Sequence, residues 1–109
     1  MRIYGLKTCD TCRKARKMLE TAGQTVEFVD VRDATPGAAF YASILKEFGE
    51  EVVNRRSTTW RGLDEKTRAM APEALLAAHP SLMKRPVIEA DGALYLGWSD
   101  PVRQALLGR

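Results

Sequence analysis

The chain has 109 residues, a formal charge of +3 and one histidine, with 45% apolar and 28% charged side chains. That is an ordinary balance for a globular protein, long enough for one domain and too short for two independent cores. No run approaches the roughly 20 apolar residues of a membrane span, and there is no signal-peptide pattern, low complexity or repeat. A cytoplasmic, folded, single-domain protein is the expectation.

In chain order, Ile3–Leu6 reads as a short strand and Thr8 as the N-cap of a following helix. Cys12, Ala15, Leu19 and Ala22 form the stripe of an amphipathic helix, which Gly23 ends. Residues 25–31, Thr-Val-Glu-Phe-Val-Asp-Val, are apolar on both parities and read as a strand covered on both faces. Strand, helix and strand within 31 residues make a βαβ unit and a parallel pair. Thr35-Pro36 predicts the N-cap and first turn of a second helix carrying Phe40, Tyr41, Ile44, Leu45 and Phe48, closed by Gly49. Residues 50–71 read as short helical turns and loops. Pro72 opens a further helix with Leu75 and Leu76, and His79-Pro80 ends it. Pro86–Ala90 and Ala93–Leu96 flank Asp91-Gly92, a strong signal for a two-residue hairpin. Ser99 and Pro101 start a terminal helix with Val102, Ala105 and Leu106. The order β-α-β, helical region, β-β-α is an α/β, thioredoxin-like layout, with the helical insertion at about residues 37–80.

The two cysteines form one motif, Cys9-Asp10-Thr11-Cys12. A secreted disulfide scaffold has more cysteines and spreads them. A structural zinc site needs about four ligands, which these two and His79 cannot supply. A redox pair remains, against the plainer reading of two small buried residues. Cys9 falls where a strand hands over to a helix, where unsatisfied N–H groups and the helix dipole favour a thiolate. Lys7 and Arg13 add positive charge. Cys9 is therefore the expected nucleophile, and Cys12, at the head of the apolar stripe, the more buried resolving thiol. Helical spacing puts the two β-carbons ~5–6 Å apart, within a small adjustment of the ~3.5–4.5 Å that a disulfide requires.

The net charge is patterned. Residues 1–20 carry +4, 21–54 carry −4, 55–85 carry +4 and 86–109 carry −1. Two basic blocks bracket an acidic one, and bringing them together would create an electropositive site around the cysteines. No basic-aromatic interleaving or helix-turn-helix pattern points to direct nucleic-acid binding. Trp60 and Trp98 read as core or packing residues, and His79 as a helix-ending group.

The segment Tyr4–Arg16, together with Arg56-Ser57-Thr58-Thr59-Trp60-Arg61, His79-Pro80, Lys84-Arg85-Pro86-Val87-Ile88 and Leu96-Gly97-Trp98-Ser99-Asp100, resembles the ArsC/Spx superfamily. That superfamily includes the glutaredoxin-type arsenate reductases, and the likeness is greatest to its YffB-like branch. The resemblance implies a thioredoxin-like fold, Cys9 as catalytic cysteine, and Arg56 and Arg85 as binders of an anionic group. It also implies a cis Pro86 facing the cysteines, with Thr8 and Pro86 beside the substrate. The activity implied is that of a thiol-dependent reductase of a small anionic or thiol substrate. Cys12 or glutathione would resolve the intermediate, and glutathione or glutaredoxin would be the reductant. No bound cofactor or metal is expected, and nothing in the sequence requires more than a monomer. Two positions depart from the arsenate reductases. Gly97 falls where they place a third arginine, and Cys12 replaces a serine. The first argues against arsenate as substrate. The second is shared with Spx, a redox-sensing regulator that binds RNA polymerase, and supplies the alternative reading.

Overall fold

The computed structural model describes residues 1–108. The elements are β1 (Arg2–Gly5), α1 (Asp10–Thr21), β2 (Glu27–Asp30), α2 (Ala38–Phe48), α3 (Thr58–Arg61), α4 (Glu65–Arg68), α5 (Pro72–Ala78), β3 (Val87–Ala90), β4 (Ala93–Leu96) and α6 (Asp100–Leu107). Short 3-10 turns occupy Gly49–Val52 and Pro80–Leu82. The described chain divides into a sheet unit, residues 1–30 and 85–108, and a helical unit, residues 31–84.

In the sheet unit the strand order is β2-β1-β3-β4. β1 and β2 are parallel; β1 with β3 and β3 with β4 are antiparallel. This is the thioredoxin-like arrangement that the element order predicts. The registers Ile3↔Phe28, Ile3↔Ile88 and Ile88↔Tyr95 draw one row of large side chains across all four strands. Because side chains alternate along a strand, the row lies on one face. Ala15 and Leu19 of α1 and Leu106 of α6 close over it, with Ile3, Ile88 and Ala90 buried beneath. Asp91 and Gly92 take φ of 51° and 80°, the two positive values that a type I′ hairpin turn requires.

In the helical unit α2 packs on α5. Tyr41 and Ile44 of the former and Leu75 and Leu76 of the latter are buried, as are Val52, Leu82 and Met83. The segment after α2 is tied to the last residues of this unit by a bridge between Val53 and Met83 and by Lys84 N–H donating to the Val52 carbonyl at 2.6 Å. α3 and α4 are single turns, held because Ser57 Oγ accepts from Trp60 N–H at 3.1 Å and Asp64 Oδ1 from Thr67 N–H at 2.7 Å.

Two caps differ from expectation. α1 is capped at Cys9, not Thr8. The Cys9 N–H donates to the Leu6 carbonyl at 3.0 Å, so Leu6–Cys9 form a turn and Thr8 lies inside it. α2 begins after Gly37, not after Thr35. Gly37 has φ of 94°, a conformation favourable to glycine, and the chain turns there before the helix can start.

The interior row makes a direct stability test. Leu19→Ala is expected to cost about 2–5 kcal/mol in urea unfolding, since its side chain is fully enclosed between α1 and the sheet.

Candidate active site

The site is built at one end of the sheet, where β1 delivers the chain into α1. Lys7 N–H donates to Asp30 Oδ2 at 2.9 Å, pinning the connection to the end of β2. Asp30 is the register partner of Gly5. Because Tyr4 pairs with Val87, the Arg85-Pro86 segment enters the sheet at this same end. The peptide between those two residues is cis, and Pro86 is buried.

Cys9 occupies the N-cap with extended backbone, φ −83° and ψ 118°, and its side chain is half-buried. Sulfur is a long, weak acceptor, and the side chain closes no short capping bond. As a thiolate it draws on more. Burial opposes its ionisation, but the Cys12 backbone N–H, the Cys12 thiol and the Arg85 guanidinium all favour the charged form. The result is a Cys9 thiol held below the ordinary range.

Cys12 is placed oppositely. It heads the buried stripe of α1 and is fully enclosed. Burial pushes its thiol up to about 12, with the charge on Cys9 adding to the rise and the Leu6 N–H partly offsetting it. Near neutral pH, Cys12 is thus a protonated thiol beside a Cys9 that ionises more easily than an ordinary thiol. The two are free thiols in this structure.

The structure therefore gathers Cys9, Cys12 and Arg85 at one junction, with Pro86 at the end of the same strand. Thr8 is exposed on the turn before Cys9. Arg13, expected to add positive charge, is ion-paired with Asp10. The second basic block is divided: Arg85 belongs to the sheet unit, whereas Arg55, Arg56 and Lys84 belong to the helical unit. There Asn54 Oδ1 accepts from Arg56 N–H at 3.0 Å, and Arg56 lines a cleft of about 600 Å³ with Asn54, Arg55, Lys84, Glu50 and Glu51. Arg55 and Arg68 each sit 5.4 Å from the Trp60 ring centre, so Trp60 is a packing platform for two guanidinium groups. His79 ends α5, its N–H donating to the Leu75 carbonyl at 2.8 Å.

Two residues at the junction escape sequence reasoning. Asp30 gives no signal, because an acid at a strand end looks like any solvated charge. Gly5 does give one: a glycine in a strand marks close approach by another group. Here that group is the Cys12 sulfur.

The contrast between the thiols sets a pH dependence. Alkylation by iodoacetamide should begin at Cys9, with a midpoint below that of free cysteine, and reach Cys12 only at strongly alkaline pH. Arg85→Gln should move the Cys9 midpoint upward and Arg85→Lys should move it less, because the lysine retains the charge. Mass-resolved alkylation rates across pH would read this.

Known proteins resemble this chain over most of its length. The model of the ArsC family matches residues 4–105. A protein of Haemophilus influenzae is 37% identical over 108 residues, spanning 94% of this chain and 95% of the relative. The solved structure of a YffB protein superposes with a TM-score of 0.89 at 33% identity, covering 97% of both chains. That of an arsenate reductase-related protein from Brucella melitensis gives a TM-score of 0.73 at 38% identity, covering 95% of this chain and 91% of the other. With essentially its whole length matched by the family and by its solved structures, the chain belongs to the ArsC family.

Proposed function

We propose that the chain is a thiol-dependent reductase that cleaves a disulfide, or a comparable sulfur-bonded group, carrying a negative charge near the reacting atom. The observation that supports this is the asymmetry of the pair: Cys9 ionises readily beside Arg85, while Cys12 stays protonated and enclosed next to it.

The Cys9 thiolate attacks one sulfur of the substrate disulfide. A Cys9–substrate disulfide forms, and the other half of the substrate leaves as a thiolate. The Arg85 guanidinium presents planar donors to a carboxylate or oxyanion of the substrate and steadies the charge on Cys9 before attack. Cys12 then attacks the Cys9 sulfur. The Cys9–Cys12 bond forms, the substrate's second half departs, and the Cys12 proton passes to it. Two glutathione molecules, or a glutaredoxin, return the pair to the dithiol and are themselves oxidised to a disulfide. The sum is one disulfide reduced and one formed, with no bound cofactor. A mixed disulfide resolved directly by glutathione is the single-cysteine branch of the same cycle. In the helical unit, Arg56 offers a further guanidinium for an anion.

Arsenate is a poor fit. Gly97, in place of the third arginine of the arsenate reductases, has φ of 82°, and its N–H donates to the Pro86 carbonyl at 2.8 Å. A bulky side chain is strained in that backbone conformation.

The test is glutathione-coupled reduction of a small model disulfide. Cys9→Ser should abolish turnover. Cys12→Ser should retain a glutathione-resolved fraction and lose the intramolecular disulfide on mass analysis. Undiminished turnover in Cys9→Ser would refute the proposal. In a parallel assay, arsenate reduction should be weak or absent; robust turnover would show that a third arginine is dispensable.

A further inference from the structure

We propose that Gly5 is the positioning residue for the resolving thiol: the lack of a side chain at this strand position is what lets the Cys12 sulfur lie against β1 within reach of Cys9. The inference rests on the two-thiol reading above and adds to it the residue that makes it geometrically possible.

A β-carbon at Gly5 would stand 2.4 Å from Cys12 Sγ and 3.3 Å from Cys12 Cβ, with Phe28 Cζ at 3.6 Å on another side. The first distance is far inside van der Waals contact, so something must move. Gly5 is not among the glycines with positive φ, so backbone conformation does not demand glycine here; space does. Gly5 shares its parity with Ile3, and so faces α1. The helix has no room to lift, because Ala15 and Leu19, further along the same stripe, are fully buried against the sheet. The remaining escape is rotation of the Cys12 side chain, which carries the sulfur away from the Leu6 N–H and from Cys9. Gly5 has no side chain and carries no reactive group. It acts through Cys12, on the single step in which the Cys12 sulfur attacks Cys9 of the mixed disulfide and displaces the bound thiol.

An aromatic disulfide that releases a coloured thiolate, dithiobis-nitrobenzoate, separates the steps. Attack by Cys9 releases one equivalent and leaves the other on Cys9. Attack by Cys12 on that mixed disulfide releases the second. In Gly5→Ala the first phase should slow only severalfold, because the Cys12 thiol's support of the Cys9 thiolate is lost while the Cys12 backbone N–H and Arg85 still favour it. The second should slow roughly tenfold to a hundredfold, the scale of a misplaced reacting group. A packing readout accompanies it. The fall in melting temperature from Gly5→Ala should be smaller by about 5 °C in a Cys12→Ala background, where the clashing sulfur is gone. A Gly5→Ala chain that folds only in that background supports the inference equally. Equal slowing of both phases, or an equal stability loss in both backgrounds, would overturn it by making Gly5 a general structural residue. A native chain that releases only one equivalent would instead sink the two-thiol reading itself, an outcome visible before any variant is made.

Discussion

Four residues, Leu6 to Cys9, separate the last residue of β1 from the first of α1, and within them an extended chain must become a helix. Two hydrogen bonds close that turn: Cys9 N–H to the Leu6 carbonyl at 3.0 Å, and Lys7 N–H to the Asp30 carboxylate at 2.9 Å. The second comes from outside the segment. Asp30, only 7% exposed, is the one charged side chain among the buried described residues. Leaving such a donor without its acceptor in a partly buried position costs about 1–3 kcal/mol. Everything at the site depends on this junction, because it decides which cysteine caps the helix and which begins its buried face.

The same residue type, placed twice within one helical turn, thereby acquires two chemistries. Cys9 opens the first hydrogen-bonded turn, its carbonyl accepting from Arg13 N–H at 3.1 Å, with its side chain among N–H groups that lack helical partners, and Arg85 reaches it from the segment before β3. Cys12 lies one turn further on, under the helix, where no water reaches the sulfur and ionisation is costly. Neither property belongs to the residue. Both follow from where a 3.6-residue period places its side chain relative to the sheet.

Part of the chain's basic charge is used locally. Arg13 pairs with Asp10, Arg16 with Glu20, Arg2 with Glu27, Arg55 with Glu50 and Arg103 with Asp100. Exposed pairs of this kind contribute little to stability, but they cancel charge. What matters for the thiolate is one half-buried guanidinium, Arg85, rather than the summed charge of two blocks.

Element order, the hairpin at Asp91-Gly92, the α1 stripe and the exposed-to-buried gradient from Cys9 to Cys12 were legible in the residues. Each is a local property: a period of two or 3.6, a turn that needs positive φ, a strand that ends beside a capping position. The starts of α1 and α2 were not, because a turn closed by backbone bonds at Leu6 and a glycine at 37 outweigh the capping preference of Thr8 and Thr35. Arg85 could be named from the family resemblance, but its approach to Cys9 depends on β3 pairing with β1 across some eighty residues of sequence. The sequence by itself determined the kinds of element, the two thiols and their order along a helix. Only the tertiary structure decided that Asp30 anchors the turn, that Gly5 makes room for a sulfur and that Arg85 serves the thiolate. Those are contacts between residues distant in sequence, and no periodicity encodes them.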